Sequence, residues 1–222
     1  MVETVVVGKT ALMSRPNQTE RPMVLASGSR YRATVLKDVG IDVEIDAPSV
    51  DERALDHLFD PAAPHELALA LARLKAADVA PRHDGSLVIG GDQLGLLGHG
   101  EQTTVLHQCP DHTSAVEQLM LMSGETHRLV NGLVIIDTAS GASVEGVDVV
   151  KVTMCAFDRA EAESYVERFR PFDVCGSYRL EDDRVMEPDE RLLKGIEAED
   201  LSGVLGMPIP LLRRLLVEVG FL

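Results

Sequence analysis

The feature that constrains this chain most is a regular amphipathic helix followed by a buried strand. The segment HELALALARLKAADVA, residues 65–80, predicts a helix that Pro81 ends. Its apolar stripe consists of Leu67, Leu71 and Leu74. The short apolar run from Leu87 to Gly90 predicts a buried strand that leads into Asp92. A helix that packs beside a strand buried on both faces is typical of layered α/β domains.

The same alternation of strands and helices continues along the chain. Further strands are predicted at 23–26, 43–45, 128–136 and 147–157. Further helices are predicted at 30–39, 111–122 and 158–169, and after Pro208 and Pro210. This order predicts an α/β fold, bordering on α+β, with a mixed sheet flanked by helices. No repeat, linker or shift of composition divides residues 23–222, which are predicted to form one domain.

Residues 1–22 are predicted to be an N-terminal extension, because their prolines and polar residues disfavour long regular structure. The tripeptide Gly8-Lys9-Thr10 resembles the end of a phosphate-binding P-loop. That motif requires a glycine five positions before Gly8, where the chain has Glu3. A P-loop is therefore not expected.

Composition and charge limit the partners of the chain. Of its 222 residues 45% are hydrophobic, which is enough for one core or for two lobes that share a cleft. The formal net charge of −15 repels nucleic acid and anionic membranes, so neither is an expected partner. A small phosphorylated substrate fits this charge if Lys, Arg and backbone N–H groups cluster locally and a divalent cation assists. The sequence leaves the oligomeric state open, a homodimer included.

The lack of a recognisable targeting signal and the spacing of the cysteines favour a cytoplasmic protein. No apolar run reaches the roughly 18 residues that cross a bilayer, and the N-terminus lacks the basic-then-apolar order of a secretory signal. Cys109, Cys155 and Cys175 are an odd number without metal-ligand spacing. They are expected to be free thiols or small buried apolar side chains in a reducing compartment.

Four clusters carry groups suited to chemistry, and each also has an ordinary structural interpretation. In the segment 27–32 (SGSRYR) a strand ends in small residues and a helix begins with two arginines. Unpaired N–H groups at a helix start, with arginines beside them, make an anion site, but the same pattern describes a plain capped helix. The pair Asp51-Glu52 is either a solvated turn or a source of magnesium ligands.

The other two clusters lie in the strong helix and after the buried strand. Lys75 follows Leu71 by four positions and shares its stripe, so it either reaches to the rim or points into a site. Asp92 is either a polar loop residue or a functional group at a strand's carboxyl end, where open α/β sheets bind ligands. Together the four clusters supply anion donors, carboxylates for a metal and a general base, and a lysine. That set suits hydrolysis of a phosphoanhydride.

Eight blocks of sequence occur in order along residues 23–220. They are Leu25–Arg32, Val50–Glu52, Lys75-Ala76, Val88–Gln93, Ser123–His127, Cys175–Tyr178, Ile196-Glu197 and Gly206–Pro208. In these blocks the chain resembles the Maf family, and more closely its 7-methyl-GTP pyrophosphatase branch. The resemblance implies a mixed, strongly twisted sheet and a deep cleft between two lobes, an architecture like that of inosine-triphosphate pyrophosphatases.

The resemblance also implies an enzyme that hydrolyses a nucleoside triphosphate to monophosphate and pyrophosphate with Mg²⁺ or another divalent cation. Asp92 would be the catalytic carboxylate, which activates a water or holds the metal, and Glu52 would join it at the metal. The triphosphate would be held by Ser27, Arg32 and Lys75. Gln93 and Glu181 match the 7-methyl-GTP branch, and the Glu181 carboxylate is suited to accept hydrogen bonds from a guanine.

The chain departs from the family pattern in three places. Gln108 stands where the family has a lysine that touches phosphate, and a neutral amide lacks that charge. The first block reads Arg30-Tyr31-Arg32, so one basic residue has moved, and Ser202 stands where an asparagine is expected. Two other interpretations therefore stay open. One is a nucleotide-binding or regulatory protein without catalysis, and the other is a different phosphohydrolase with the same cleft.

Overall fold

The computed structural model describes residues 21–222, in which seven strands form one mixed sheet. The strands are β1 (Met23–Ala26), β2 (Glu44–Ile45), β3 (Leu87–Leu97), β4 (Thr104–Leu106), β5 (Thr126–Asp137), β6 (Ser143–Met154) and β7 (Leu193–Glu197). Their order across the sheet is β2-β1-β3-β5-β6-β7, and β4 also pairs with β3. Strand β1 runs parallel to β2 and β3, and the other pairings within this part of the chain are antiparallel. The predicted mixed sheet is confirmed.

Six α-helices among residues 21–222 flank the sheet. They are α1 (Arg30–Asp38), α2 (Pro64–Val79), α3 (His112–Met122), α4 (Arg159–Phe169), α5 (Leu180–Arg184) and α6 (Ile209–Glu218). Short 3₁₀ turns occur at Glu52–Leu58, Ala80–Arg82, Gly100–Gln102 and Leu201–Gly203. The predicted bounds of α1 to α4 agree with these to within one residue. Within the described part of the chain, no helix has the length and apolar character that a bilayer span requires.

The predicted extension falls almost wholly outside the described residues. Residues 1–20, which include the tripeptide Gly8-Lys9-Thr10, lie outside the described residues. Arg21 forms an ion pair with Asp137 at the end of β5, and the carbonyl of Pro22 accepts a hydrogen bond from Leu87 N at 2.9 Å. These two contacts attach the start of the described chain to the ends of two central strands, β3 and β5.

Helix α2 covers one face of the sheet at very short range. A Cβ atom on Gly90 would lie 2.3 Å from the carbonyl oxygen of Ala72, and one on Gly132 would lie 2.6 Å from the carbonyl carbon of Ala68. Only glycine permits so close an approach of two backbones. The helix therefore lies directly on β3 and β5, and its buried stripe, Lys75 included, faces β3.

The opposite face of the sheet carries two separate hydrophobic cores. One packs α1 and α6 on β1, β3 and the second half of β5, with Leu36, Ile89, Leu133, Leu212 and Leu216 among its members. The other packs α3 and α4 on β6 and the first half of β5, with Leu119, Leu129, Val152, Tyr165 and Val166 among its members. The two cores give the two lobes that the resemblance implies.

A gap along one edge of β3 lies between the lobes. Strand β5 pairs with the whole of β3 on one edge. On the other edge β1 pairs with residues 87–90 and β4 with residues 95–97. Residues 91–94 therefore lack a strand neighbour on that edge within the described chain, and the sheet opens there into a cleft.

The position of Asp92 differs from the prediction. It lies in the middle of an eleven-residue strand, not in a loop after the strand. The reason is that the antiparallel ladder with β5 continues past Gly90 to Leu97, so the glycines do not end the strand. The carboxyl end beside Asp92 is that of β1, whose last residue, Ala26, pairs with Gly90.

Candidate active site

The cleft is a cavity of about 1250 Å³ at the gap in β3. It brings together all the predicted site residues, namely Ser27, Arg32, Glu52, Lys75, Asp92, Gln93 and Glu181. Its basic lining residues are Arg30, Arg32, Arg53, Lys75 and Arg179, and its acidic ones are Glu52, Asp56, Asp92, Asp173 and Glu181. The whole chain has 36 acidic residues against 21 Lys and Arg, so the cleft is far less negative than the rest of the protein. Such a local balance is what an anionic ligand needs.

Lys75 links two carboxylates at the α2 wall of the cleft. Its Nζ donates a hydrogen bond to Asp92 Oδ1 at 2.7 Å and lies 2.7 Å from Glu52 Oε2. The side chains of Lys75 and Asp92 are 8% and 10% exposed, whereas that of Glu52 is 48% exposed. Buried charges are tolerated when they are paired and hydrogen-bonded, which accounts for the contact between Lys75 and Asp92.

Ser27 and Arg32 lie at the start of α1, on the other side of the gap. Arg32 Nη1 donates to Ser27 Oγ at 3.0 Å, and Arg32 Nε donates to the carbonyl oxygen of Gly206 at 2.9 Å. Ser29 caps α1, since its side chain accepts from the backbone N–H of Arg32. The first N–H groups of α1 and the guanidinium of Arg32 thus share one wall, the arrangement of an anion site.

Gln93 is held by a buried polar network. Its Nε2 donates to Asn131 Oδ1 at 3.0 Å and to the carbonyl oxygen of Gly203 at 2.9 Å. Asn131, which is fully buried, in turn donates to Asp148 Oδ2 at 3.1 Å and to the same Gly203 carbonyl at 2.9 Å. The amide nitrogen of Gln93 is therefore engaged within the protein, and its Oε1 lies 3.7 Å from Cys175 Sγ.

The network fixes the loop that contacts Arg32. A Cβ atom on Gly203 would lie 2.7 Å from Asp148 Oδ2, so the loop rests directly on β6. Gly206, three residues further on, carries the carbonyl that Arg32 binds. Asn131 and Asp148 were not among the predicted site residues, although a polar residue such as Asn131 within an apolar run is a visible signal in the sequence. Burial raises the pKa of Asp148 above its ordinary value.

Comparison with known proteins identifies the family. A family model described as Maf-like protein matches residues 22–219. The chain belongs to this family. A relative from Nitrosococcus oceani named 7-methyl-GTP pyrophosphatase is 30% identical over 209 residues, which are 94% of this chain and 98% of the relative. Relatives with the same name are 32% identical over 191 residues in Bdellovibrio bacteriovorus (86% of this chain, 93% of the relative) and 32% over 199 residues in Pseudomonas putida (90% and 97%).

Two departures from the Maf pattern have visible structural roles. Gln108 lines the cleft, and its Nε2 donates to the carbonyl oxygen of Asp173 at 3.1 Å. It therefore ties the segment before α3 to the segment before α5. Ser202 Oγ accepts a hydrogen bond from Ile209 N at 2.9 Å and so closes the loop that precedes α6.

Glu181 of this Maf-like protein lines the same cleft as Lys75. It is an exposed residue of α5, a single turn of helix that was not predicted. The turn is anchored by its buried neighbour Asp183, whose Oδ1 accepts from Leu192 N at 2.7 Å and Leu193 N at 2.9 Å. Glu181 is thus presented to the cleft from a fixed element.

Proposed function

We propose that this Maf-like protein hydrolyses a nucleoside triphosphate, of the 7-methyl-GTP type, to the monophosphate and pyrophosphate. The observation that carries the proposal is the buried contact of Asp92 with Lys75 at the open edge of β3, in a cleft that also holds Ser27 and Arg32. The names of the three relatives support the same reaction. A phosphoanhydride needs a positioned base and cations near its oxygens, and these residues supply both.

In this proposal Asp92 orients a water and accepts its proton as the oxygen attacks the α-phosphorus. Arg32 and Lys75 neutralise charge that develops on the phosphate oxygens. Ser27 Oγ already accepts from Arg32 Nη1 at 3.0 Å and from Ser29 N at 3.2 Å. Its hydroxyl proton is consequently available as a donor to a phosphate oxygen.

A divalent cation fits the carboxylates of this site. Asp92 and Glu52 each bring an oxygen to within 2.7 Å of Lys75 Nζ, so the two carboxylates converge on one region of the cleft. Mg²⁺ is commonly held by one or two carboxylates, with phosphate oxygens and waters as its other ligands. When bound, such a cation would polarise the α-phosphate and lower the pKa of a water. We propose Mg²⁺ or a similar cation as the cofactor, with Asp92 and Glu52 as its protein ligands.

Glu181 and Gln93 are the proposed base-recognition groups. The Glu181 carboxylate is an acceptor for the guanine N1–H and amino group, and the fixed amide of Gln93 presents Oε1 as a further acceptor. Glu181→Gln is expected to weaken the preference for a guanine nucleotide, because the neutral amide replaces one charged acceptor by a donor. An unchanged ratio of kcat/KM values for 7-methyl-GTP and dTTP would remove Glu181 from this role.

The function is tested with a panel of ordinary and methylated nucleoside triphosphates, each with Mg²⁺ or Mn²⁺ and with chelator. The expected products are a nucleoside monophosphate and pyrophosphate, with 7-methyl-GTP among the best substrates and no turnover in chelator. Reaction in ¹⁸O-water should place the label in the monophosphate, since attack is at the α-phosphorus. Release of orthophosphate, or label in pyrophosphate, would assign the cleft to a different phosphohydrolase.

The Gln108 amide favours a second candidate, a nucleotide-binding or regulatory protein without catalysis. Gln108 donates to the Asp173 carbonyl in place of a charged contact with phosphate. A Tm that rises when nucleotide is added, in the absence of any turnover, would support this candidate. Turnover by the wild-type chain would exclude it.

We further propose a cytoplasmic protein whose partner is a small molecule and not nucleic acid or a membrane. The net charge of −15 and the three free cysteines support this assignment. A homodimer is one proposed assembly state, which light scattering after size-exclusion chromatography measures directly.

A further inference from the structure

The Asp173 carboxylate lies in the cleft between cationic groups from both lobes. Arg30 Nη2 donates to its Oδ2 at 2.9 Å, and Tyr31 OH donates to the same oxygen at 3.1 Å. Arg179 donates to Oδ1 through Nη2 at 2.5 Å and through Nε at 3.2 Å. We call these four residues the Asp173 cluster.

The Asp173 cluster spans the cleft. Arg30 and Tyr31 belong to the first turn of α1, in the lobe built on α1 and α6. Asp173 and Arg179 lie between α4 and α5, where Phe172 and Cys175 pack against the core of the other lobe. All four residues of the cluster line the same cavity as Asp92. The ion pair between Arg30 and Asp173 is therefore a link between the two walls of the proposed active site.

The donors around Asp173 are those that a phosphate group requires. Two guanidinium groups and a phenol supply four hydrogen bonds to the two oxygens of one carboxylate. Arginine binds phosphate with the same planar donor geometry that it uses for carboxylate, and a phosphate dianion offers more charge and more acceptor oxygens. The donors are thus suited to exchange one anion for the other.

The Arg30 side of the cluster is open to exchange. The side chains of Arg30 and Asp173 are 71% and 44% exposed, so water competes for their ion pair. Arg179 is only 13% exposed and is also held by Asp182 Oδ2 and by the carbonyl of Phe169, both at 3.0 Å. The Arg179 guanidinium is therefore fixed, whereas the exposed Arg30 side chain is free to move toward a bound ligand.

We propose that Arg30, Tyr31 and Arg179 form a subsite for the terminal phosphate of the polyphosphate, and that Asp173 fills this subsite until substrate displaces it. The proposal rests on the proposed function only in taking a polyphosphate as the ligand. Asp173 then acts as an internal competitor, which sets how much negative charge a ligand must carry to bind at the subsite. A nucleoside monophosphate lacks the terminal phosphate, so under this proposal it leaves the carboxylate in place.

The test uses sodium tripolyphosphate as the probe and isothermal calorimetry as the readout, because neither needs turnover. Asp173→Asn removes the competing charge and keeps the side chain's size, and we expect the Kd to fall by about fivefold. Arg30→Gln removes the mobile cation, and we expect the Kd to rise by about fivefold. Asp189→Asn makes the same chemical change at an exposed position outside the cavity, and it should leave the Kd unchanged.

Two results would overturn the proposal. Unchanged or weaker binding by Asp173→Asn would show that Asp173 supports the arginines and does not compete with the ligand. Unchanged binding by Arg30→Gln, a substitution of an exposed residue that the fold should tolerate, would remove the subsite even if Asp173→Asn failed to fold. Failure of the proposed function is a separate outcome. In that case the protein would hydrolyse no nucleotide, but the two substitutions would still change the Kd for tripolyphosphate.

Discussion

Lys75 Nζ lies 2.7 Å from Asp92 Oδ1, at the point where α2 packs on the middle of β3. The contact depends on a backbone approach that only glycine at 90 allows, so the fold itself brings the cation to the carboxylate. It also explains a lysine on an apolar helical stripe, because that stripe passes over the gap in the sheet.

The first prediction concerns Lys75→Met, which leaves the Asp92 carboxylate buried without its cation. Removing one partner of a buried pair costs about 3 kcal/mol or more, so the free energy of unfolding in urea should fall by that amount. Turnover should fall roughly 100-fold or more, because a donor to the phosphate is lost. The double variant with Asp92→Asn should recover much of the stability and none of the turnover. Additive losses of stability in the double variant would contradict the pairing.

The second prediction concerns Asn131, which touches no cleft surface and acts through Gln93 and the Gly203 loop. Asn131→Ala leaves buried groups unsatisfied and should cost about 1–3 kcal/mol of stability. Because the loop carries the carbonyl that Arg32 binds, KM should rise more than kcat falls. In an Arg32→Ala background the KM effect should shrink to the part that Asn131 exerts through Gln93. A KM effect of full size without Arg32 would show that the Gly203 loop and Arg32 carry none of it.

Asp148→Asn is the matched variant of the same network. Its amide oxygen still accepts from Asn131, and the substitution removes a carboxylate whose pKa is raised by burial. A raised folded-state pKa means that the ionised carboxylate opposes folding at neutral pH. Asp148→Asn should therefore raise the Tm at pH 7, and the gain should vanish in acid as the wild-type carboxyl becomes protonated. A lower Tm at pH 7 would contradict this reasoning.

The third prediction concerns acid stability and His127. Burial lowers the pKa of this side chain from 6.5 to about 4, and its Nε2 lies 2.9 Å from Tyr178 OH. The unfolded chain binds the proton more readily, so stability is complete above pH 6.5 and falls as the pH drops toward 4, by about 3 kcal/mol. His127→Phe loses the Tyr178 contact at every pH but should lack this slope. Parallel Tm curves for both proteins between pH 7 and 4 would contradict the account.

The fourth prediction concerns the approach of α2 to the sheet. A Cβ on Gly90 would meet Ala72 O and Ala76, so Gly90→Ala must push α2 away and should cost about 1–3 kcal/mol together with most of the turnover. A Cβ on Gly195 in β7 would meet no neighbouring atom within 4 Å, and the backbone there is not left-handed. Gly195→Ala should therefore leave stability and turnover near the wild-type values. Equal effects of the two substitutions on turnover would show that the close approach of α2 to β3 is not required for catalysis.

The sequence predicted those parts of the fold that depend on local periodicity. Helix α2 follows from leucines at helical spacing, and the structure confirms the helix and the burial of Leu67, Leu71 and Lys75. Leu74, which was predicted on the same stripe, is only half-buried. The free state of Cys109, Cys155 and Cys175 is likewise confirmed. The ordered motifs also predicted seven site residues, and the structure places all seven of their side chains in one cleft.

Features that depend on long-range pairing were missed. Strand β3 was predicted to end near Asp92, but its length is set by β5, about forty residues further along the chain. The short elements β4, β7 and α5 have too few residues for a periodic pattern, and tertiary contacts decide their form. The Asp173 cluster joins residues more than 140 positions apart, and no local pattern predicts such a contact.

Pyrophosphate release from 7-methyl-GTP by wild type, Asp92→Asn and Asp189→Asn decides whether Asp92 is needed for the proposed hydrolysis. The two substitutions make the same chemical change, one at the Lys75 contact and one at an exposed position outside the cavity. We expect Mg²⁺-dependent turnover by wild type and Asp189→Asn, and loss of turnover in Asp92→Asn with the fold intact by circular dichroism. Undiminished turnover in folded Asp92→Asn would contradict it.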